Sequence, residues 1–269
     1  MLCVLPVKFL FVVYTFMKMS DTTPDAPTTL YQAYTEQMEQ IQDLNSALAL
    51  LQWDNGVNAP AKGAHYRGKQ IATLSTLAHQ YATTPTLGNL LEQLYAQRRY
   101  LSDNEAANVR LSLEEYRRSQ KLPAAFVRRL ATAKSDAFQA WLKARAAKDF
   151  KIYQPALQRI VALMREQAEL WGYQDHPYDA LLHEYEHGST VAELDRLFAA
   201  VRQELVPLAQ KITQMGTPTS SAFLTAHYDG DAQWQLGLDL LAQMGFDFAA
   251  GRQDRSEHPF TISLSSKDV

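Results

Sequence analysis

From Tyr31 onward the apolar residues of this chain recur at steps of three and four, in one segment after another. In a helix of about 3.6 residues per turn, such steps gather side chains on one face, which must then be buried against a neighbour. The first stripe is Tyr31, Tyr34, Met38, Ile41, Leu44, Leu48 and Leu51. Ile71, Leu74, Ala78 and Tyr81 make a second, and Leu87, Leu90, Leu91 and Leu94 a third. Val109, Leu113 and Tyr116 mark a fourth, Phe126, Val127, Leu130, Ala137 and Trp141 a fifth, and Leu157, Ile160, Met164 and Trp171 a sixth. A chain built this way is a set of packed helices.

Boundary residues support the division. Thr28 and Thr29 are good N-caps for the first helix, and Gly56 and Pro60 break it. Thr84–Pro85 stops the second; Ser102 and Glu105 form a capping-box pattern before the fourth. Pro123 suits the first position of the fifth, and Gly172 the residue just past the sixth. A short seventh helix is expected from Tyr178 to about His187, stopped by Gly188. Thr190 and Glu193 repeat the capping box before an eighth through Leu197, Phe198, Val201, Leu205, Leu208 and Ile212, kinked at Pro207. A ninth runs from about Ala232 to Met244 and ends at Gly245. The main loops are expected at Gly56–Gly63 and Gly216–Ser221.

One segment departs from the helical period. In Pro259–Ser266, Phe260, Ile262 and Leu264 alternate with polar residues, a period of two that signals a strand. Ser265 to Asp268 then reads as a hairpin turn. A hairpin needs a returning strand, and none follows Val269, so the pattern reads as a sequence cut short. The expected fold is mainly α: an elongated multi-helix array with one short C-terminal β-strand in an incomplete hairpin.

Composition narrows the function. The net charge of −3 gives no basic excess for nucleic acid or an anionic membrane surface. The single cysteine, Cys3, excludes an internal disulfide and a Cys-rich metal ribbon, and fits a reducing, cytoplasmic setting. The stretch Met1–Met19 is apolar but broken by Pro6 and Lys8, and no A-x-A site follows it. Residues 1–27 therefore read as a disordered or extension segment, and 28–269 as the folded part.

Three constellations carry chemistry. His183-Glu184-Tyr185-Glu186-His187 fits H-E-x-x-H, in which two histidines one helical turn apart bind zinc and the glutamate activates water. Against this, Gly188 follows at once and no third ligand is obvious, so a polar helix end is the competing reading. Phe246 to Asp254, continuing through Ser256 and His258 to Phe260, packs aromatics, Arg, Asp and His around Gly251. It either orients a polar ligand or forms a turn before the strand. Gln52-Trp53-Asp54 with Pro60 and Arg67 reads as capping and packing at a helix end.

Taken in order, these pieces resemble the carboxypeptidase Taq family of zinc metallocarboxypeptidases. The matching parts are Leu51-Gln52-Trp53-Asp54; His176-Pro177-Tyr178-Asp179-Ala180-Leu181-Leu182 with Tyr185-Glu186 and Gly188; Gly245 to Asp254; and His258-Pro259-Phe260, the family's H-P-F triplet. Asp268 takes the first position of its D-x-R-x-T motif. The resemblance implies a mostly helical fold with a long substrate groove and a small sheet. It also implies homodimers that remove C-terminal residues from peptides with broad specificity. The family's zinc ligands and general base lie beyond D-x-R-x-T, so the resemblance assigns no metal role to His183 or His187. It implies a chain inactive by itself that binds no zinc alone. By motif position, His258 and Asp268 are the substrate-binding candidates, His258 as a hydrogen-bond donor and Asp268 as the group that holds the motif's Arg. Two readings compete with this one: a free-standing zinc metalloprotease using His183, Glu184 and His187, and a non-catalytic helical module that binds peptides.

Overall fold

The structure is a computed structural model that describes residues 27–216, 221–265 and 267–269. Met1–Met19 and the rest of the expected extension up to residue 26 lie outside the described residues, as do positions 217–220 of the expected Gly216–Ser221 loop.

Ten α-helices form among the described residues. The first six are α1 (Pro27–Val57), α2 (Ala64–Ala82), α3 (Pro85–Ala96), α4 (Asp103–Ser119), α5 (Ala124–Ala147) and α6 (Gln154–Trp171). Local chemistry sets most of their ends. The Thr84 Oγ1 accepts from the Leu87 N–H at 3.3 Å, so the dipeptide that stops α2 also starts α3. Ser102 and Glu105 close the capping box: the Ser102 N–H donates to Glu105 Oε2 at 2.8 Å and the Glu105 N–H to Ser102 Oγ at 3.4 Å. Two starts differ from expectation by a residue or two. Pro27 opens α1, leaving Thr28 and Thr29 inside its first turn, and a proline suits that place because its fixed φ is already helical. Pro123, extended at ψ 142°, is the cap of α5 rather than its first helical residue.

Cα proximity divides the chain into two compact units. One holds the residues up to Gly172 together with 254–264; the other holds 173–253 and 265–269. In the first unit α2 packs on α1 and α5, α3 on α4 and α1, and α6 on α5. Tyr34, Ile41, Leu87, Leu90, Leu91, Leu94, Val109 and Leu113 form its main core, with Leu91 and Leu94 fully buried. A polar pair buried inside it is satisfied: Tyr34 Oη and Ser112 Oγ lie 2.8 Å apart.

The second unit contains α7 (Pro177–Leu182), α8 (Val191–Met215), α9 (Ala222–Thr225) and α10 (Gly230–Gln243). The predicted capping box opens α8, and the helix runs as one element through Pro207 to Met215. The short α9 has no stripe long enough to be read from sequence. No residue of α8, α9 or α10 is buried. The apolar stripe of α8 is instead exposed, Phe198 by 60% and Ile212 by 62%.

The expected C-terminal strand is corrected. Among the described residues there is no strand, only an isolated antiparallel bridge between Ser265 and Asp268. Alternation of apolar and polar residues says which side chains share a face, but a strand exists only where a neighbour completes its hydrogen-bond ladder. No described segment pairs with Phe260–Leu264 in that way.

Candidate functional site

The W-D segment lies at the C-terminal end of α1. A carboxylate is unfavourable there, because helix carbonyls make that end negative. Asp54 is offset by an ion pair with Arg67 of α2. The same guanidinium donates to the Leu51 carbonyl at 3.3 Å, in the last two turns of the helix. The Asp54 carbonyl accepts from the Asn58 and Ala59 N–H groups at 2.9 and 2.7 Å. Asp54 and Arg67 thus clamp the junction of α1 and α2.

His258 and its neighbours belong to the first unit, laid along α5. The His258 ring meets Trp141 edge-on at 6.3 Å, and Trp141 stacks on Phe138 at 5.8 Å. The Arg145 guanidinium lies 5.4 Å from the centre of the Trp141 ring, donates to the Glu257 carbonyl and pairs with the Glu257 carboxylate at 3.5 Å. Phe260 reaches α1, where a Cβ added at Gly56 would stand 3.6 Å from its ring and 3.9 Å from Phe138. His258 Nδ1 sits 2.8 Å from the Pro259 carbonyl, and the His258 carbonyl accepts from Ser256 Oγ at 2.7 Å. A carbonyl only accepts, so Nδ1 carries the proton and Nε2 is the nitrogen left to meet a ligand. Sequence reading missed the supports of this segment. Their signal was present in the spacing of Phe138, Trp141 and Arg145, three and four residues apart on one face of α5.

The aromatic, glycine-centred cluster is divided between the units after Gln253. Its first part turns tightly in the second unit. Asp247 Oδ1 accepts from the Ala249 N–H at 2.9 Å, and Phe246 meets Phe248 edge-on at 5.1 Å. Val269 pairs with this turn: its N–H donates to the Ala250 carbonyl at 2.9 Å and its carbonyl accepts from the Arg252 N–H at 3.1 Å. A Cβ at Gly251 would come within 2.7 Å of the Val269 oxygen, so only glycine allows this approach. Asp268 is exposed one residue earlier; its backbone is bonded to Ser265, its N–H donating at 3.4 Å and its carbonyl accepting at 3.3 Å. His258 and Asp268 therefore fall in different units.

The Y-D-A-L-L segment is built around one carboxylate. Asp179 Oδ2 accepts from the His176 N–H at 3.3 Å and completes the cap of α7, while Oδ1 accepts from the Val191 N–H at 2.7 Å at the start of α8. Between the two helices lies His183 to His187. The helix expected to reach His187 ends at Leu182. Beyond it the Glu184 and Tyr185 N–H groups bond three residues back, to Leu181 and Leu182 at 3.4 and 2.8 Å, and the chain turns at Gly188 with φ 83°. The two imidazoles still meet, with ring centres 4.0 Å apart and planes tilted by 46°. Imidazoles so placed suit a metal. The glutamate of H-E-x-x-H, however, serves as general base from a continuous helix, and that helix is absent here.

Sequence reading also missed a groove of about 310 Å³ in the first unit, lined by Tyr95, Arg110, Leu113, Glu114, Arg117, Arg118 and Lys121, in which the cations outnumber the one carboxylate. Arg117 pairs with Glu92 at 2.7 Å; Arg118 stacks over Trp171 at 4.1 Å, and Lys121 donates to the Trp171 carbonyl at 2.6 Å. Three of its cations lie on α4 and Lys121 two residues past its end, spread over twelve residues of sequence, which hides them as a group.

Comparison with known proteins follows the same segments. The profile of the carboxypeptidase Taq (M32) metallopeptidase family matches residues 33–269. Carboxypeptidase 1 of Bacillus subtilis (strain 168) is 33% identical over 241 residues, 90% of this chain and 48% of its own. Thermostable carboxypeptidase 1 of Thermus thermophilus is 35% identical over 255 residues, 90% of this chain and 50% of its own. A crystal structure of an M32 carboxypeptidase from Deinococcus radiodurans R1 superposes with a TM-score of 0.73 at 31% identity, over 89% of this chain and 48% of that one. The chain spans about half the length of the curated relatives it matches.

Proposed function

We infer the activity from the premise that this chain belongs to the carboxypeptidase Taq (M32) metallopeptidase family: it is part of an enzyme that removes C-terminal residues from peptides. The observation that carries this reading is the family match, which runs through every motif described above and reaches from α1 to Val269. Zinc is the metal we assign to the enzyme. Bound zinc polarises a scissile carbonyl and lowers the pKa of its water. The residues described here contribute the frame and the groups that orient substrate. His258, held edge-on against Trp141 with Nδ1 on the Pro259 carbonyl, offers Nε2 of the neutral ring to the peptide as an acceptor, where motif position alone had suggested a donor. Asp268 supplies a carboxylate at the exposed turn closed by Ser265. The same reading makes the enzyme a homodimer, by family resemblance, and cytoplasmic, for which the single cysteine is the support. No described helix is long and apolar enough to cross a membrane.

The test is binding and release together. A fluorescent peptide with a free C-terminal carboxylate and its C-terminal amide are titrated against the chain by anisotropy, with zinc present. The expected result is tighter binding of the free acid, weakened by His258→Ala. Equal binding of acid and amide overturns the assignment of substrate. Hydrolysis by these 269 residues that is lost in His183→Ala overturns it differently, in favour of a proteolytic site at His183.

A further inference from the structure

We propose that His183 and His187 form a two-imidazole seat for a first-row transition-metal dication of the zinc and nickel class, in the turn between α7 and α8. The family reading assigns these residues nothing, and the inference does not rest on it. It rests on where the turn places the two rings. Four residues apart on a helix, two histidines meet because the helix stacks them; here the helix has already ended at Leu182, yet the ring centres are 4.0 Å apart. Their ligating nitrogens lie within 4.8 Å of each other. His183 is half-buried at the cap of α7 and His187 is exposed.

Geometry indicates how the seat closes. A zinc–nitrogen bond is about 2.0–2.1 Å, which puts each ring centre roughly 3.2 Å from the metal and two tetrahedrally placed rings roughly 5 Å apart. The rings must therefore open by about 1 Å from their present spacing. His187 can supply that movement, because it lies outside the helical ladder and is followed by Gly188 at φ 83°. The remaining coordination positions fall to water. Imidazole selects zinc, nickel and copper over magnesium and calcium. Only the neutral ring ligates, so binding is expected to release protons and to weaken as the pH is lowered.

The experiment uses the 269-residue chain, nickel and zinc ions, and histidine ring-proton NMR beside calorimetric titration. The expected result is one nickel ion bound, with broadening confined to two of the seven histidines. Magnesium should not displace it. His187→Gln, at the exposed position, should weaken binding by more than about tenfold, because losing even a hydrogen-bond partner of a ligand typically costs that much. His183→Gln checks the second ligand. If His183→Gln is misfolded by its amide spectrum, the His187 variant decides the matter alone. Unchanged affinity in His187→Gln, broadening at other histidines, or equal competition by magnesium overturns the proposal.

Discussion

Replacing Gly88 by alanine sets two effects of opposite sign against each other. Gly88 is buried within α3, and alanine is favoured over glycine inside a helix by about 1 kcal/mol, so propensity alone predicts a gain of that size. Packing predicts a loss. A Cβ at position 88 would stand 2.7 Å from Tyr116 Cε1 and closer still to Cζ and Oη. Tyr116 is itself buried on α4, and its hydroxyl accepts from Gln120 Nε2 at 2.7 Å. The ring is rigid and cannot fold its tip aside, so it must move by about 1 Å to restore van der Waals separation. Overpacking of this kind costs about 1–3 kcal/mol, and the displaced hydroxyl gives up a hydrogen bond of about 1 kcal/mol. Set against the propensity gain, Gly88→Ala should destabilise by about 1–3 kcal/mol. Urea unfolding followed by far-ultraviolet circular dichroism measures it, with Tyr116→Leu and the double variant completing a cycle. The double variant should be more stable than the sum of the single changes predicts. A Gly88→Ala protein more stable than the parent would refute the close approach of α3 and α4 on which the reasoning stands.

Two further outcomes follow from single side chains. Asp179→Ala removes one hydrogen-bond acceptor from the start of α7 and one from the start of α8, leaving His176 and the Thr190–Glu193 box in place, and at about 1 kcal/mol for each bond the loss is about 2 kcal/mol; amide exchange should rise both in 177–182 and at the start of α8, and a rise in only one would show that the carboxylate does not bridge them. Burial lowers the His79 pKa in the folded state, against an opposing hydrogen bond from its Nε2 to the Leu122 carbonyl at 2.8 Å. The folded chain therefore binds that proton less readily than the unfolded chain, and stability should fall as pH drops through about 6.5 and level off below the folded pKa. His79→Gln should flatten that part of the stability–pH curve, and an unchanged slope would place the titration elsewhere.

The helical frame was legible because its signals are local. The capping boxes at Ser102–Glu105 and Thr190–Glu193 lie within four residues, and both form as read. What escaped was pairing across the chain. Asp179 looks like a first-turn acid, and nothing near it in sequence announces that its second oxygen reaches Val191. Arg145 and Glu257 are 112 residues apart, so the support of the H-P-F segment could be found only by asking which helix face carried an unexplained Phe138–Trp141–Arg145 row. The C-terminal strand failed for the converse reason, since its alternation was real but its ladder required a neighbour. The spacing of His183 and His187 predicted that the rings would meet, though not that they would do so after their helix had ended.

The bare stripe on α8 has a consequence for the life of this polypeptide in a cell. Leu197, Phe198, Val201, Leu205, Leu208 and Ile212 present to solvent the kind of contiguous aliphatic and aromatic run that holdase chaperones and quality-control proteases use to tell unfinished chains from finished ones. Steady-state abundance will then track the greasiness of one helix more closely than the quality of the buried core. Substituting charged residues at Leu205 or Ile212 should raise recovered yield while leaving the unfolding of the α1–α6 unit where it was, and a collection of variants ranked by expression alone would be ranked by α8.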